Sequence, residues 1–284
     1  MSTFTIKSDY LYQDGKKVTN AATKKTSGKF KTGNLKFIVV HYTAGVNFDA
    51  DVSTLSSSDV QASCQLVISP EGKVTQIGSF SDVEWHAGRS SWKGHQNLNS
   101  YSIGIENTGP GPVDFAYEKE GVKYFKFPGT SKVLWNDKDD TIVFAKHPNG
   151  GQARYWVQFT PAQMEAMDGI ITALMAAYPS IKEVVGHDMI APDRKIDPGP
   201  SLPAGFYSKY NQAGAAAQPK VLVVSNTKGS GLNVRSGQGT TFPRLVLLTD
   251  GSKVTELERQ NLWVKVRTAA GVEGWASRDY LKVS

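Results

Sequence analysis

Long apolar runs are absent from this sequence of 284 residues. Its first residues, MSTFTIKSDYLYQDGKK, hold no apolar stretch of the roughly 7 to 15 residues that an export signal needs. No later run approaches the roughly 18 residues that would cross a bilayer. Cysteine is also scarce, because the single Cys64 excludes an internal disulfide framework. We therefore expect synthesis in the reducing cytoplasm without a signal peptide, so that work outside the cell requires another exit route.

Excess charge is missing from most of the chain. Residues 1–219 carry 22 Lys or Arg against 21 Asp or Glu, whereas residues 220–284 carry ten against five and so hold +5 of the net +6. A basic C-terminal piece is typical of a domain that meets an anionic polymer or surface, although a solvated face that only aids solubility explains it equally well. We expect no nucleic-acid partner, and the oligomeric state is left open.

The composition changes once along the chain, at residues 208–219, SKYNQAGAAAQP. This stretch is small and polar and lacks periodicity, which predicts a linker between a first domain, residues 1–207, and a second, residues 220–284. In the second domain, short β-rich runs alternate with Gly and Asp turns. They predict a small all-β barrel.

The first domain mixes both kinds of element, which predicts an α/β fold with a mixed central sheet flanked by helices. A helix should begin after Thr160, with Pro161 at its first position and Gln163 completing a capping box, and end before Pro179. A second helix is expected within residues 50–63. Residues 1–30 read as an N-terminal extension, and about 110–155 as a long insertion. Apolar runs predict strands at residues 35–40, 64–69, 73–78, 101–106 and 182–186.

Polar side chains end three of these strands: His41, Glu106 and His187. If the strands are parallel neighbours, these groups converge at the carboxyl edge of the sheet. Asp197 follows in a proline-stiffened segment that can return its carboxylate to His187, and two imidazoles with one carboxylate form a known zinc ligand set. The alternative is that His187 caps a turn and that Asp197 pairs with a neighbouring cation, Arg194 or Lys195.

Four motifs carry a family resemblance: HYT, WHAGRSSW, NSYSIGIEN and GHDMIAPDRKIDPGP, spread in order over about residues 30–205. They resemble the zinc amidases that cleave N-acetylmuramoyl-L-alanine bonds in peptidoglycan, a group that includes phage lysins, muramyl-peptide recycling amidases and peptidoglycan recognition proteins. The resemblance implies zinc bound by His41, His187 and Asp197, with Glu106 and Lys195 as catalytic residues.

These residue types suit amide hydrolysis. Zinc makes water a nucleophile near neutral pH. Glu106 would move a proton from that water to the leaving nitrogen, and Lys195 would neutralise the oxyanion. Two alternatives remain, namely that Glu106 orients a histidine and that Lys195 is a plain surface charge.

The WHAGRSSW loop is the expected substrate contact, through Trp85, His86 and Arg89. Aromatic faces suit sugar rings, and the guanidinium suits a peptide carboxylate. A packed flap without contact to substrate is the alternative. His95 and His147 stand in polar loops and are expected to be solvated.

Residues 220–284 resemble the bacterial SH3 domains of cell-wall hydrolases, through LNVRSG, LWVKV and GWASRDYL. Together the two resemblances imply an endolysin-like, zinc-dependent N-acetylmuramoyl-L-alanine amidase whose partner is peptidoglycan. It would reach the wall after holin-type or specialised release. The alternatives are a recognition protein that binds wall fragments without cutting them, and a cytosolic amidase that recycles muropeptides.

Overall fold

The computed structural model describes residues 2–23, 25–211, 221–260 and 263–283. The chain divides into two compact units, residues 1–214 and residues 215–284. Within the described residues, no helix is both long enough and apolar enough to cross a membrane.

The first unit contains a six-stranded central sheet, a five-stranded sheet and smaller pieces. Its helices are α1 (Phe48–Ser56), α2 (Pro161–Ala177), α3 (His187–Ile190) and α4 (Ser208–Asn211). Its strands are β1 (Phe4–Lys7), β2 (Tyr10–Gln13), β3 (Lys16–Lys17), β4 (Thr19–Asn20), β5 (Phe37–Tyr42), β6 (Leu66–Ile68), β7 (Val74–Gln76), β8 (Ser91–Trp92), β9 (His95–Gln96), β10 (Ser102–Asn107), β11 (Pro112–Lys119), β12 (Val122–Lys126), β13 (Val133–Asn136), β14 (Ile142–His147), β15 (Gly150–Val157) and β16 (Glu183–Gly186).

The central sheet has the order β16-β5-β10-β6-β7-β4. Strands β16, β5, β10 and β6 are parallel, whereas β7 runs antiparallel to β6. The five predicted strands are all present, and the mixed α/β fold is confirmed. Because both faces of the sheet are covered, its central strands are apolar throughout rather than alternating.

Helix α2 covers one face of this sheet. Thr160 accepts a hydrogen bond from the Gln163 backbone, and the Gln163 side chain accepts one from the Thr160 backbone, so the predicted capping box is confirmed. The helix buries Met167, Ile170 and Leu174 against the sheet, each contributing roughly 1.5 to 3 kcal/mol. This packing fixes the sheet on which the site stands.

The N-terminal residues are part of the fold rather than a separate extension. β1, β2 and β3 form a small antiparallel sheet, and β4 pairs with β7 at the edge of the central sheet. Phe4 and Leu11 are buried in the main core. Two-residue strands such as β4 leave no periodic pattern, which is why the sequence did not reveal them.

The insertion is also ordered. β11 to β15 form one antiparallel sheet with the order β13-β12-β11-β15-β14. Its strands are amphipathic and irregular, with bulges in several pairings, so the alternation that marks a strand is weak. Helix α1 is shorter than expected and ends at Ser56, with Asn47 as its N-cap.

The boundary between the units differs from the predicted linker. Residues 208–211 form α4, where the Asn211 side chain both accepts from and donates to the backbone of Val184 in β16. These four residues therefore belong to the first unit, while residues 212–219 lie outside the described residues.

The second unit is all β, in line with the predicted barrel. Its seven-stranded sheet has the order β19-β18-β22-β21-β20-β17-β23 and encloses a core of small aliphatic side chains that includes Val234, Val264 and Val266. The strands are β17 (Val221–Val224), β18 (Leu232–Arg235), β19 (Arg244–Leu248), β20 (Lys253–Gln260), β21 (Trp263–Thr268), β22 (Glu273–Ser277) and β23 (Leu281–Val283).

Candidate metal centre and active site

Three strand ends bring the predicted polar groups together. β16, β5 and β10 are parallel neighbours, and Glu106 lies directly opposite His41 in the register. Gly186 pairs with Val40, so His187, the first residue of α3, reaches the level of His41. The expected convergence at the carboxyl edge of the sheet is therefore present.

His41, His187 and Asp197 form a buried cluster. The two Nδ1 atoms lie 2.9 Å apart, and each lies 3.0 Å from Oδ2 of Asp197. Arg194, a possible partner for Asp197, instead donates to the backbone oxygens of Arg89 and Ala87. The carboxylate is thus directed to the histidines and not to a neighbouring cation.

Hydrogen bonds on the far side of each ring fix where its proton lies. Nε2 of His187 is 3.2 Å from the carbonyl oxygen of Ala87, which can only accept, so that nitrogen carries the proton. His86 faces the carbonyl oxygen of Ser102 through Nε2 at 3.2 Å, which leaves its Nδ1 as an acceptor. His41 donates to that atom through Nε2 at 3.1 Å.

These proton positions leave a lone pair on each inner Nδ1. Burial, followed by the neighbouring His187, lowers the pKa of His41 to about 4, so its ring is neutral at neutral pH. Burial alone would raise the pKa of Asp197, but the two imidazoles that face it hold it below the usual range. The neutral ring of His41 and the carboxylate of Asp197, with Nδ1 of His187 directed at both, are the kind of donor groups that metal ligation requires.

This electron-rich cluster fits a cation. Three donor atoms converge with no proton between them, and all three residues are buried, so a positive charge at their centre would relieve the repulsion. A set of two nitrogens and one oxygen also leaves a fourth position open, as catalytic metal sites do. The structure therefore supports a metal site at the three predicted residues.

Glu106 lies beside the cluster without joining it. Its Oε1 is 4.0 Å from Nδ1 of His41, and its buried Oε2 has no hydrogen-bond partner among the described residues. Burial, and next the charge of Asp197, raises the pKa of this carboxyl well above its usual range. A buried carboxyl group with a raised pKa can take up and return a proton, as a general acid or base does.

The comparisons with known proteins point in the same direction. Residues 31–200 match the family model described as N-acetylmuramoyl-L-alanine amidase. The chain belongs to this amidase family. Residues 230–282 match the bacterial SH3 domain, as the C-terminal resemblance predicted.

The chain spans only part of the length of the curated relatives that it matches. The chain is 31% identical over 191 residues to the N-acetylmuramoyl-L-alanine amidase AmiD of Escherichia coli K12, covering 65% of this chain and 55% of that protein. It is 27% identical over 162 residues to the 1,6-anhydro-N-acetylmuramyl-L-alanine amidase AmpD of Salmonella typhimurium SL1344, covering 57% and 63%. A solved complex of AmiD from E. coli with anhydro-N-acetylmuramic acid-L-Ala-D-gamma-Glu-L-Lys is 27% identical, with a TM-score of 0.45 and coverage of 76% and 69%.

Within this amidase domain, Lys195 stands two residues before Asp197 and is half-buried. Its backbone N–H donates to Ala191, while its ammonium forms no hydrogen bond or ion pair in the described part of the chain. The Lys195 charge opposes the upward shift of the Glu106 pKa, and it also lowers that of His41. The ammonium therefore acts electrostatically on His41 and Glu106, and no hydrogen bond or ion pair holds it elsewhere in the described residues.

The three residues expected to bind substrate have different surroundings in the structure. His86 is buried, with Nδ1 at 3.1 Å from Nε2 of His41, so it faces that ring and not an open groove, and its contact with substrate stays a prediction. Trp85 donates through its indole N–H to Ser27 at 2.8 Å, which ties it to the N-terminal segment. Arg89 is exposed and lines a cavity of about 390 Å³ with residues 190–194.

Two further histidines were expected to be solvated, and one of them is not. His147 is buried, with Nε2 at 3.0 Å from Oδ2 of Asp188. His95 is half-buried against the rings of Phe37 and Tyr101. One signal of this contact is local, because Asp188 is an acidic residue adjacent to the predicted ligand His187. Its partner His147 is distant in sequence and could not be predicted from local spacing.

Proposed function

We propose that this chain is a zinc-dependent N-acetylmuramoyl-L-alanine amidase that hydrolyses the bond between N-acetylmuramic acid and L-alanine in peptidoglycan. The observation that carries the proposal is the buried set of His41, His187 and Asp197 with Glu106 beside it. A protein that only binds wall fragments has no use for a proton-transferring carboxyl group next to a metal site. Membership of the amidase family supports the same reaction.

Zinc held by these three ligands would lower the pKa of water and polarise the amide carbonyl group. The protein's side chains would do the rest. The Glu106 carboxylate accepts a proton from the attacking water and then gives it to the leaving nitrogen of L-alanine as the C–N bond breaks. Burial, which raises the pKa of Glu106, suits a group that must hold that proton between the two transfers.

Lys195 supplies the positive charge that stabilises the reacting carbonyl oxygen. As water adds to the carbonyl carbon, the carbonyl oxygen becomes negative, and an ammonium already placed nearby stabilises that charge without reorganisation. Lys195 stands in the same short segment as Asp197, which keeps its backbone close to that ligand. Arg89 is the member of the predicted substrate set that faces open space and can contact a peptide carboxylate.

We propose intact cell wall as the substrate, with the C-terminal unit as its tether. That unit matches the bacterial SH3 domain and carries a net charge of +5, which suits an anionic wall polymer. The second candidate is an amidase that recycles soluble muropeptides, and it is favoured by the relatives named 1,6-anhydro-N-acetylmuramyl-L-alanine amidase. An endolysin role with holin-type release would follow from the first candidate.

The experiment uses purified full-length protein and isolated sacculi. We expect release of stem peptides with new L-alanine amino termini, loss of that release with a chelator, and recovery with added zinc. Asp197→Ala is expected to remove both zinc binding and activity. Products cut within the peptide or the glycan would contradict the proposal, and faster turnover of soluble anhydro-muropeptides than of sacculi would favour the recycling enzyme.

A further inference from the structure

The sheet formed by β11 to β15 reaches the loop that carries two of the three ligands. His147, the last residue of β14, is buried and faces Asp188, the residue directly after the ligand His187. Nε2 of His147 and Oδ2 of Asp188 are 3.0 Å apart. A side chain separated by 40 residues from the ligand loop is thus in direct contact with it.

The tautomer of His147 is set by its own loop. The backbone N–H of Asn149 donates to Nδ1 of His147 at 3.0 Å, so the ring proton is on Nε2, the nitrogen that lies 3.0 Å from Oδ2 of Asp188. The Asn149 side chain also donates to the backbone oxygen of Asp188 at 2.9 Å. The β14–β15 turn therefore holds both the side chain and the main chain of Asp188.

Asp188 in turn connects the two ligands. Its backbone N–H donates to the backbone oxygen of Asp197 at 2.7 Å, so the segment from His187 to Asp197 is closed at its base by this one hydrogen bond. Holding Asp188 in place therefore holds the backbone of His187 close to the backbone of Asp197.

The far end of the segment is held as well. Gly199 has φ +47°, and a side chain there would place Cβ only 2.8 Å from Cδ2 of His147 and 3.3 Å from the ring of Trp156. The loop therefore packs directly on the rings of β14 and β15. Just beyond, the backbone of Phe159 donates to Ser201 at 2.9 Å.

We propose that His147 is a positioning residue of the metal centre and that the β14–β15 turn braces the loop from His187 to Asp197. The inference rests on the metal site of the proposed function. His147 and Asp188 are both buried, so the effect of this arrangement is to hold two ligands in the geometry that the ion needs. Partners that orient metal ligands in this way typically change metal affinity by roughly 10- to 100-fold when they are removed.

The test measures zinc affinity of the full-length protein by competition with a chromophoric chelator, independently of turnover. His147→Leu removes the ring nitrogen that lies against Asp188 and is expected to lower zinc affinity by roughly 10- to 100-fold. His147→Gln keeps an N–H donor near the Nε2 position and is expected to restore most of it. Asn149→Ala, at an exposed position, removes the side-chain hydrogen bond to the Asp188 backbone and is expected to lower the affinity to a smaller extent. Cobalt-loaded His147→Leu should also show an altered d–d absorption spectrum.

His95→Leu is the matched control, because it removes a half-buried histidine that contacts Phe37 and Tyr101 but no ligand. It is expected to change thermal stability without changing zinc affinity. Equal zinc affinity in His147→Leu and wild type would contradict the positioning role of His147. Equal losses of zinc affinity in His147→Leu and His95→Leu would contradict it as well. A wild-type protein that binds no zinc would overturn the proposed function together with it.

Discussion

Glu106 is the residue whose chemistry is most directly testable. Glu106→Gln keeps the shape of the side chain but removes its ability to accept and return a proton. We expect amidase activity to fall roughly 100- to 10,000-fold, the usual contribution of general acid and base catalysis. Zinc content should stay at the wild-type level, because Oε1 lies 4.0 Å from His41 and outside the ligand cluster.

The measurement is kcat on a defined muropeptide together with metal analysis of the same sample. Glu118→Gln, at an exposed position in β11, serves as the matched control and should leave both values unchanged. Near-normal activity in Glu106→Gln would contradict proton transfer by Glu106 and would favour the alternative that Glu106 only orients a histidine.

Glu84 gives a prediction about pH and stability. The side chain is almost fully buried, its Oε2 has no hydrogen-bond partner among the described residues, and burial raises its pKa from 4.5 to about 7. The folded state therefore holds a proton that the unfolded state releases between these values, so the free energy of unfolding falls as pH rises from about 4.5 to 7. Above pH 7 no further loss is expected from this group.

Glu84→Gln removes the ionisable group. At pH 8 the variant should be more stable than wild type by roughly 1 to 3 kcal/mol, and at pH 5 the two should be alike. Chemical denaturation at both pH values checks this. A wild-type advantage at pH 8 would mean that the Glu84 carboxylate is stabilised, for instance by the nearby Lys25, and would contradict the pKa direction.

Residues at strand ends were predictable, and residues held by distant contacts were not. His41, Glu106 and His187 each follow an apolar run, so local pattern placed them at one edge of the sheet. The roles of His86 and His147 depend on contacts across 45 and 41 residues, with His41 and Asp188. Sequence spacing carries no information about such pairs unless the folded path between them is already known.

Among the elements, β10 constrains the site through a glycine. The His86 ring packs over Gly104, where an added Cβ would lie 2.5 Å from Cγ of that ring. Gly104→Ala must therefore displace His86 from His41. We expect a loss of roughly 1 to 3 kcal/mol in the free energy of unfolding, together with weaker zinc binding.

Gly109→Ala is the matched control, because the nearest atom to its added Cβ is 3.8 Å away, at an ordinary contact distance. Thermal unfolding and chelator competition on both variants make the comparison. If Gly104→Ala lowered stability but left zinc affinity at the wild-type level, the hydrogen bond from His41 to His86 would not orient the ligand.

The predictable elements are those with strong local signals. Helix α2 has a capping box and an apolar stripe, and the strands buried on both faces have continuous apolar runs. The β-structure of the insertion was missed because its strands are bulged and partly exposed, so that apolar and polar residues do not alternate cleanly. The short edge strand β4 was missed because two residues cannot show a period. Tertiary pairing, and not local propensity, makes these segments strands.

At the scale of the whole molecule, the charge is divided unequally between the two units. The first carries 22 Lys or Arg against 21 Asp or Glu, and the second ten against five. If the basic unit tethers the enzyme to an anionic wall, salt should affect binding and chemistry differently. The Debye length, over which salt screens charges, falls from about 10 Å at 0.1 M salt to about 3 Å at 1 M. Binding to sacculi should weaken over this range, whereas turnover of a soluble muropeptide should change little.

Charge reversal separates this effect from a general effect of salt. Arg244 and Lys253 are exposed in β19 and β20, and Arg244→Glu with Lys253→Glu lowers the net charge of the second unit from +5 to +1. We expect weaker sedimentation with sacculi at low salt and a smaller salt dependence. The control changes the exposed Lys119 and Lys132 of the first unit to Glu, which alters the total charge by the same amount. Equal losses in both double variants would show that total charge, and not the basic unit, governs attachment to the wall.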